Sequence, residues 1–171
     1  YHVFVVVVGG SSDVMFDTSV TCANGVANNA VTSYQYVNSI LTDSTSDILL
    51  FTNVGNHVWW AARVYPGAIN NPGSTAAGVI LNAPLGIKTL VEFSAIAVQG
   101  ASSMGYIRVF SYDETDAVAA DENSDIGSSA SQTDSINKKL LTDTSSRIRY
   151  RCSTGTDGDL FFNTIGYEIL R

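Results

Sequence analysis

The residues of this chain with acid–base or nucleophilic capacity are scattered. Its two histidines, His2 and His57, stand in a sequence with no G-x-S-x-G elbow, no glycine-rich phosphate loop and no H-E-x-x-H zinc pair. His57 has the intrinsic pKa range of a general base, but no nucleophile motif accompanies it, and it is read as structural. Glu92 is the one carboxylate inside a strongly β-type segment, Leu90-Val91-Glu92-Phe93-Ser94. A glycosidase needs a second carboxylate across a cleft. Alternation instead sets Glu92 and Ser94 opposite Val91, Phe93 and Ala95, as on a half-buried strand. The chain is therefore expected to be no enzyme and to carry no cofactor.

Two acidic clusters offer the hard oxygen ligands that calcium takes. One is built on Asp113 and Asp116, with Glu114, Asp121, Glu122 and Asp125; the other is Asp157 with Asp159. Neither has the EF-hand spacing and its terminal glutamate. Asp157-Gly158-Asp159 also suits a tight turn, because Asp and Gly tolerate positive φ. No metal is assigned, and these carboxylates stand only as calcium candidates.

The sharpest binding clue is aromatic. In a strand over 57–65, Val58, Trp60, Ala62 and Val64 form the apolar file, which leaves His57, Trp59, Arg63 and Tyr65 on the other face. Large rigid aromatics stack on sugar rings or fill subunit contacts. Trp59 and Tyr65, with Tyr34 or Tyr36, are the candidate platform for a glycan.

Nine Lys and Arg stand against sixteen Asp and Glu, a net charge of -7. Nucleic acid is excluded as a partner, because phosphate binding needs a concentrated cationic face. Three of the cations, Arg147, Arg149 and Arg151, alternate along one strand face, and the whole closing stretch from Arg147 reads as a β-hairpin. That face fits either a solvated outer strand face or a contact with an acidic surface or neighbouring subunit, and if the protein assembles its natural counterpart is the acidic loop of a neighbour. At the other end, Tyr1-His2-Val3-Phe4-Val5-Val6-Val7-Val8 is too short to span a bilayer and lacks the basic flank of a signal peptide. No membrane span is expected. The run is apolar on both alternating faces, so Val3, Phe4, Val5, Val6 and Val7 should be covered on both sides. Residues 1–12 are read as a linking strand that adds to a neighbour's sheet.

The elements that must position these residues are strands. At 171 residues the chain reads as one domain over 1–171, with 45% hydrophobic residues and 14 glycines. Candidate strands fall at 1–8, 14–22, 31–41, 48–54, 57–65, 78–82, 89–98, 106–112, 136–141, 148–153 and 160–170. Their spacing is that of a sandwich or barrel. A long acidic loop is expected at 113–134, with one helical turn at 117–123. Cys22 and Cys152 fit either a bridge or two buried thiols. No N-x-Ser/Thr sequon occurs.

From Thr75 onward the order of features resembles the jelly-roll domains of bacteriophage and other virion proteins, among them fibres, head decorations and tail-associated modules. The resemblance is carried by Gly78-Val79-Ile80-Leu81-Asn82-Ala83-Pro84-Leu85-Gly86-Ile87-Lys88 leading into a long strand, by Gly105-Tyr106-Ile107-Arg108-Val109-Phe110, and by an ending of Ile148-Arg149-Tyr150-Arg151, a Gly-Asp turn, Leu160-Phe161-Phe162 and Ile165-Gly166-Tyr167. It implies an all-β antiparallel sandwich of jelly-roll type, with about 8–10 strands and little helix. It also implies a non-enzymatic homo-oligomer, often a trimer, working with other virion or filament proteins in a virion or extracellular setting. The alternative is a carbohydrate-binding module or adhesin domain that uses exposed aromatics.

Overall fold

The computed structural model describes residues 1–102, 104–127, 129–154 and 157–170. Among them lie twelve strands, more than the eight to ten expected, and one short helix. In chain order these are β1 (His2–Val8), β2 (Ser11–Asp17), α1 (Ala23–Asn28), β3 (Val31–Ser39), β4 (Phe51–Val54), β5 (His57–Val64), β6 (Ala68–Asn70), β7 (Ala77–Ile80), β8 (Thr89–Gln99), β9 (Ile107–Ser111), β10 (Thr133–Leu141), β11 (Arg147–Cys152) and β12 (Gly158–Ile169).

From β4 onward the chain builds a sandwich. One sheet has the order β10-β8-β12-β5-β4, with β6 pairing beside β5 on the same edge of β12; the facing sheet is β7-β11-β9. Ile126 bridges to Ile107 at the outer edge of β9. Every pairing is antiparallel, and the pairs nest: β5 with β12, β7 with β11, β8 with β10, and β9 with the Ile126 bridge. The outermost strands in sequence thus pair with each other, and the chain folds up as a jelly roll.

Alternation explains the core. Val91, Phe93, Ala95 and Ala97 of β8 are fully buried and face Ile148, Tyr150 and Cys152 of β11, with Ile107 and Val109 of β9. In β12 the buried file runs through Leu160, Phe162 and Thr164, then changes parity to Tyr167 and Ile169. The change falls at a β-bulge between Thr164 and Gly166. A Cβ on Gly166 would collide with the Val58 carbonyl oxygen, so only glycine fits this crossing.

The closing stretch is not a hairpin. β11 and β12 belong to opposite sheets, so the segment between them crosses the sandwich; Gly155 and Thr156 lie outside the described residues. The buried files of the two strands must face each other, which a flat hairpin would prevent. Asp157 serves the crossing as a clamp, since its Oδ2 accepts the Ser102 N–H at 2.8 Å. Gly158 follows at φ 134°, against the backbone of Val98 and Gly100.

Residues 1–39 form a separate three-stranded sheet, β2-β1-β3. A two-residue Gly9-Gly10 turn, both at positive φ, joins β1 to β2 by pairing Val8 with Ser11. Strand β2 therefore starts earlier than expected. Phe4, Val6, Cys22 and Val31 make a small core beneath one face, with Met15 and Tyr36 against it. Ser39 ties this sheet to the sandwich: its carbonyl accepts the Tyr167 hydroxyl at 2.7 Å, and its Oγ lies 2.7 Å from both Tyr36 Oη and His2 Nδ1.

This placement corrects the reading of residues 1–12 as a linking strand. Both main-chain edges of β1 are spent inside the chain, on β2 and β3, so β1 has no free edge with which to extend a neighbour's sheet. The acidic loop between β9 and β10 is long, as expected, and holds one 3-10 turn at Asp121–Asn123. It is not merely an exposed rim, because Ala119 and Ile126 are buried.

Candidate functional site

Strand β1 is covered on one face only. Phe4 and Val6 point into the small core, while Tyr1, Val3, Val5 and Val7 share the opposite face. Register places Phe16 beside Val3 and Val14 beside Val5 on that same face. Nothing in the described chain closes over them: Val5 is 43%, Val14 57% and Phe16 55% exposed. At the Tyr1 end the face runs into a depression lined by Tyr1, Phe16, Ile40 and Ile48. Ile48 also borders a groove of about 650 Å³ that leads past Leu50 to Arg63 and Tyr65. Leu50 is 79% exposed. An apolar tract thus crosses from the N-terminal sheet onto the edge of the sandwich, and such tracts mark interaction surfaces.

The arginine face is where alternation put it, on the outside of β11, but its partners are internal. Arg151 pairs with Asp116 of the acidic loop at 2.7 Å, and Arg147 with Asp143 at 2.7 Å. Glu114 reaches Arg108, Asp113 reaches Lys88, and Asp125 reaches Lys138. The expectation that all three arginines meet a neighbour's acidic loop therefore fails for Arg147 and Arg151. The loop folds back onto its own chain because β9, at the sheet edge, leaves Arg108 and Arg151 within its reach.

Trp60 enters the core and Trp59 faces out, as the apolar file requires. Trp59 is nevertheless not an open platform. Its ring stacks on His57, centroids 4.0 Å apart, and Lys139 Nζ sits 5.8 Å from the ring centroid. Lys139 in turn pairs with Glu92. Burial and the nearby Lys139 charge lower the His57 pKa against the opposing pull of Glu92 and Glu168. Tyr65 lies six residues along, beside Phe161, and Arg63 reaches the Ser94 hydroxyl. Trp59 and Tyr65 are thus not one surface. Tyr34 and Tyr36 pack edge-on against Phe4 in the other sheet.

The calcium candidates do not converge. Among the described residues no three carboxylate, histidine or cysteine side chains gather around a common point. Asp113 and Asp116 are held by Lys88 and Arg151, Asp157 caps the Ser102 corner, and Asp159 sits in β12 between Val98 and Asn70. Cys22 and Cys152 are free, buried thiols in separate cores. Burial pushes the Cys152 thiol up to about 11.

Sequence reasoning missed Asp17, the buried carboxylate at the end of β2. Its Oδ1 accepts Ser19 N–H at 2.8 Å and Asn24 Nδ2 at 2.6 Å, and its Oδ2 accepts Gly25 N–H at 2.9 Å. Burial alone would raise its pKa; these hydrogen bonds outweigh burial and hold it below the usual carboxylate range. A depressed native pKa gives stability that is complete above the unfolded value near 4 and is lost as pH falls below it. Asp17→Asn is therefore expected to cost roughly 1–3 kcal/mol at neutral pH and to flatten the acid limb of the stability curve. Chemical denaturation across an acid pH series reads both effects.

Neither a scan against protein-family models nor a search of the curated proteins finds a match to this chain.

Proposed function

We propose that this chain is a non-enzymatic structural subunit of an extracellular assembly, of the capsid, decoration or fibre type, that self-associates through the open face of its N-terminal sheet. The observation that carries the reading is the uncovered pairing of Val5 with Val14 and Val3 with Phe16. The face is apolar along β1 and β2 and polar along β3, where Asn38 and Gln35 lie beside Val3 and Val5, and an exposed apolar patch with a polar rim marks an interaction site. A second copy offers the same patch and can cover it by a two-fold or cyclic contact. The virion setting is supported by the jelly-roll resemblance alone, because the same fold serves unrelated functions. Electron microscopy of the purified chain is the test: particles, filaments or discrete small oligomers support the reading, and isolated single subunits count against it.

The glycan-binding alternative draws support from the groove that holds Leu50, Arg63 and Tyr65, which mixes apolar, aromatic and cationic groups as sugar sites do. It moves the platform away from Trp59. In a glycan array, Tyr65→Ala is expected to abolish any binding that the wild type shows, while Trp59→Ala keeps most of it. The reverse ranking would return the site to Trp59.

A further inference from the structure

Of the described basic side chains, Lys88, Arg108, Lys138, Lys139, Arg147 and Arg151 each hold a carboxylate. Arg63, which reaches the Ser94 hydroxyl, holds none among the described residues, and neither does Arg149. Arg149 lies instead over the ring of Tyr112, Cζ 4.2 Å from the centroid, and Arg147 contacts the same ring at 4.4 Å. Two guanidinium groups thus share one aromatic ring, and among the described residues the ion pair they make is that of Arg147 with Asp143. Stacking presents the Arg149 guanidinium flat and preorganised, the state in which it best takes a carboxylate in a bidentate pair.

The acidic loop has a complementary remainder. Asp113, Glu114, Asp116 and Asp125 are all paired within the chain, whereas the adjacent Asp121 and Glu122 are exposed and have no cation among the described residues. They stand on a turn that Asn123 locks: its Oδ1 accepts Ala120 N–H at 2.9 Å and its Nδ2 donates to the Val118 carbonyl at 3.1 Å. A fixed acidic turn and a fixed unpaired arginine on one chain of net charge -7 are complementary surfaces that the fold does not bring together.

We infer that Arg149, braced by Tyr112, takes the Asp121–Glu122 turn of a second copy of this chain, as a charged latch that sets the orientation of the assembly. The inference rests on the self-association proposed above. It assigns orientation and salt sensitivity to this contact, while the apolar face supplies the bulk of the affinity.

The test is a charge swap in the full chain, read by sedimentation, with circular dichroism to confirm folding. Arg149→Glu alone, and Asp121→Lys with Glu122→Lys alone, should each weaken assembly at least about tenfold, because each homotypic contact becomes like-charged. An equimolar mixture should recover assembly. In it the carboxylate introduced in one variant meets the lysines introduced in the other, and the native Arg149 meets the native acidic turn. Raising salt should weaken wild-type assembly in the same direction. If Arg149→Glu unfolds the domain, Arg149→Gln with the lysine variant supplies the comparison. Assembly that is indifferent to either swap, or a mixture of folded variants that does not recover, overturns the latch and leaves the self-association reading standing. A monomeric wild type overturns both.

Discussion

Replacing Val14 and Phe16 together by aspartate is expected to leave a folded protein that no longer assembles. Both side chains project from β2 away from the small core, and each is more than half exposed in the single subunit. Their loss therefore removes little packing from the fold. In the assembled state they would be dry, and full burial of such side chains is worth about 1.5–3 kcal/mol each. About half of that remains to be gained on association, and it is gained by each copy. Aspartates in their place would also desolvate charges with no partner. The combined loss is several kcal/mol, and every 1.4 kcal/mol is tenfold, so association should fall at least about a hundredfold. Light scattering paired with thermal unfolding reads the result; unchanged mass with unchanged stability would remove this face from the account.

The largest effect on the fold is expected at Phe162. It is fully buried at the middle of β12, with ring centroids 5.8 Å from Phe93 and 6.1 Å from Tyr150, so it joins the two sheets of the sandwich. Phe162→Ala should cost about 3–5 kcal/mol, through lost transfer energy and the cavity that remains. That is a large share of the stability of an ordinary domain. A shift of the urea midpoint with an unchanged slope is the expected signature. A cost below about 1 kcal/mol would mean that the sheets do not meet there.

What alternation could state, it stated well. The burial of Trp60 against the exposure of Trp59, the buried file of β8 and the outward arginines of β11 all follow from a period of two, and the fold keeps them. Pairing was less legible. The stretch from Arg147 resembles a hairpin because two alternating runs flank a Gly/Asp-rich turn, but local pattern does not say whether the second run returns to the same sheet or crosses to the other. The fully apolar β1 led to an expectation of cover on both faces, and the chain itself covers one. The pattern of β1 could not reveal that one side is closed by Cys22, Val31 and Met15 and the other left open.

The ion pairs were hidden for a similar reason. Arg151 and Asp116 lie 35 residues apart, and nothing in their spacing shows that the loop folds back across β9. Asp17 was silent in the sequence because its three donors come from a loop and a short helix with no capping signature. Gly9-Gly10 was readable: a two-residue glycine turn between β-type runs marks a hairpin, and it would have placed the start of β2 at Ser11.

The central claim is that the open face of β2-β1-β3 is closed by another copy. The mass of the native chain, measured by sedimentation over a range of micromolar concentrations, tests it most directly. The expected result is an oligomer of defined stoichiometry that dissociates on dilution and on replacement of Val14 and Phe16. A strict monomer across that range would contradict it.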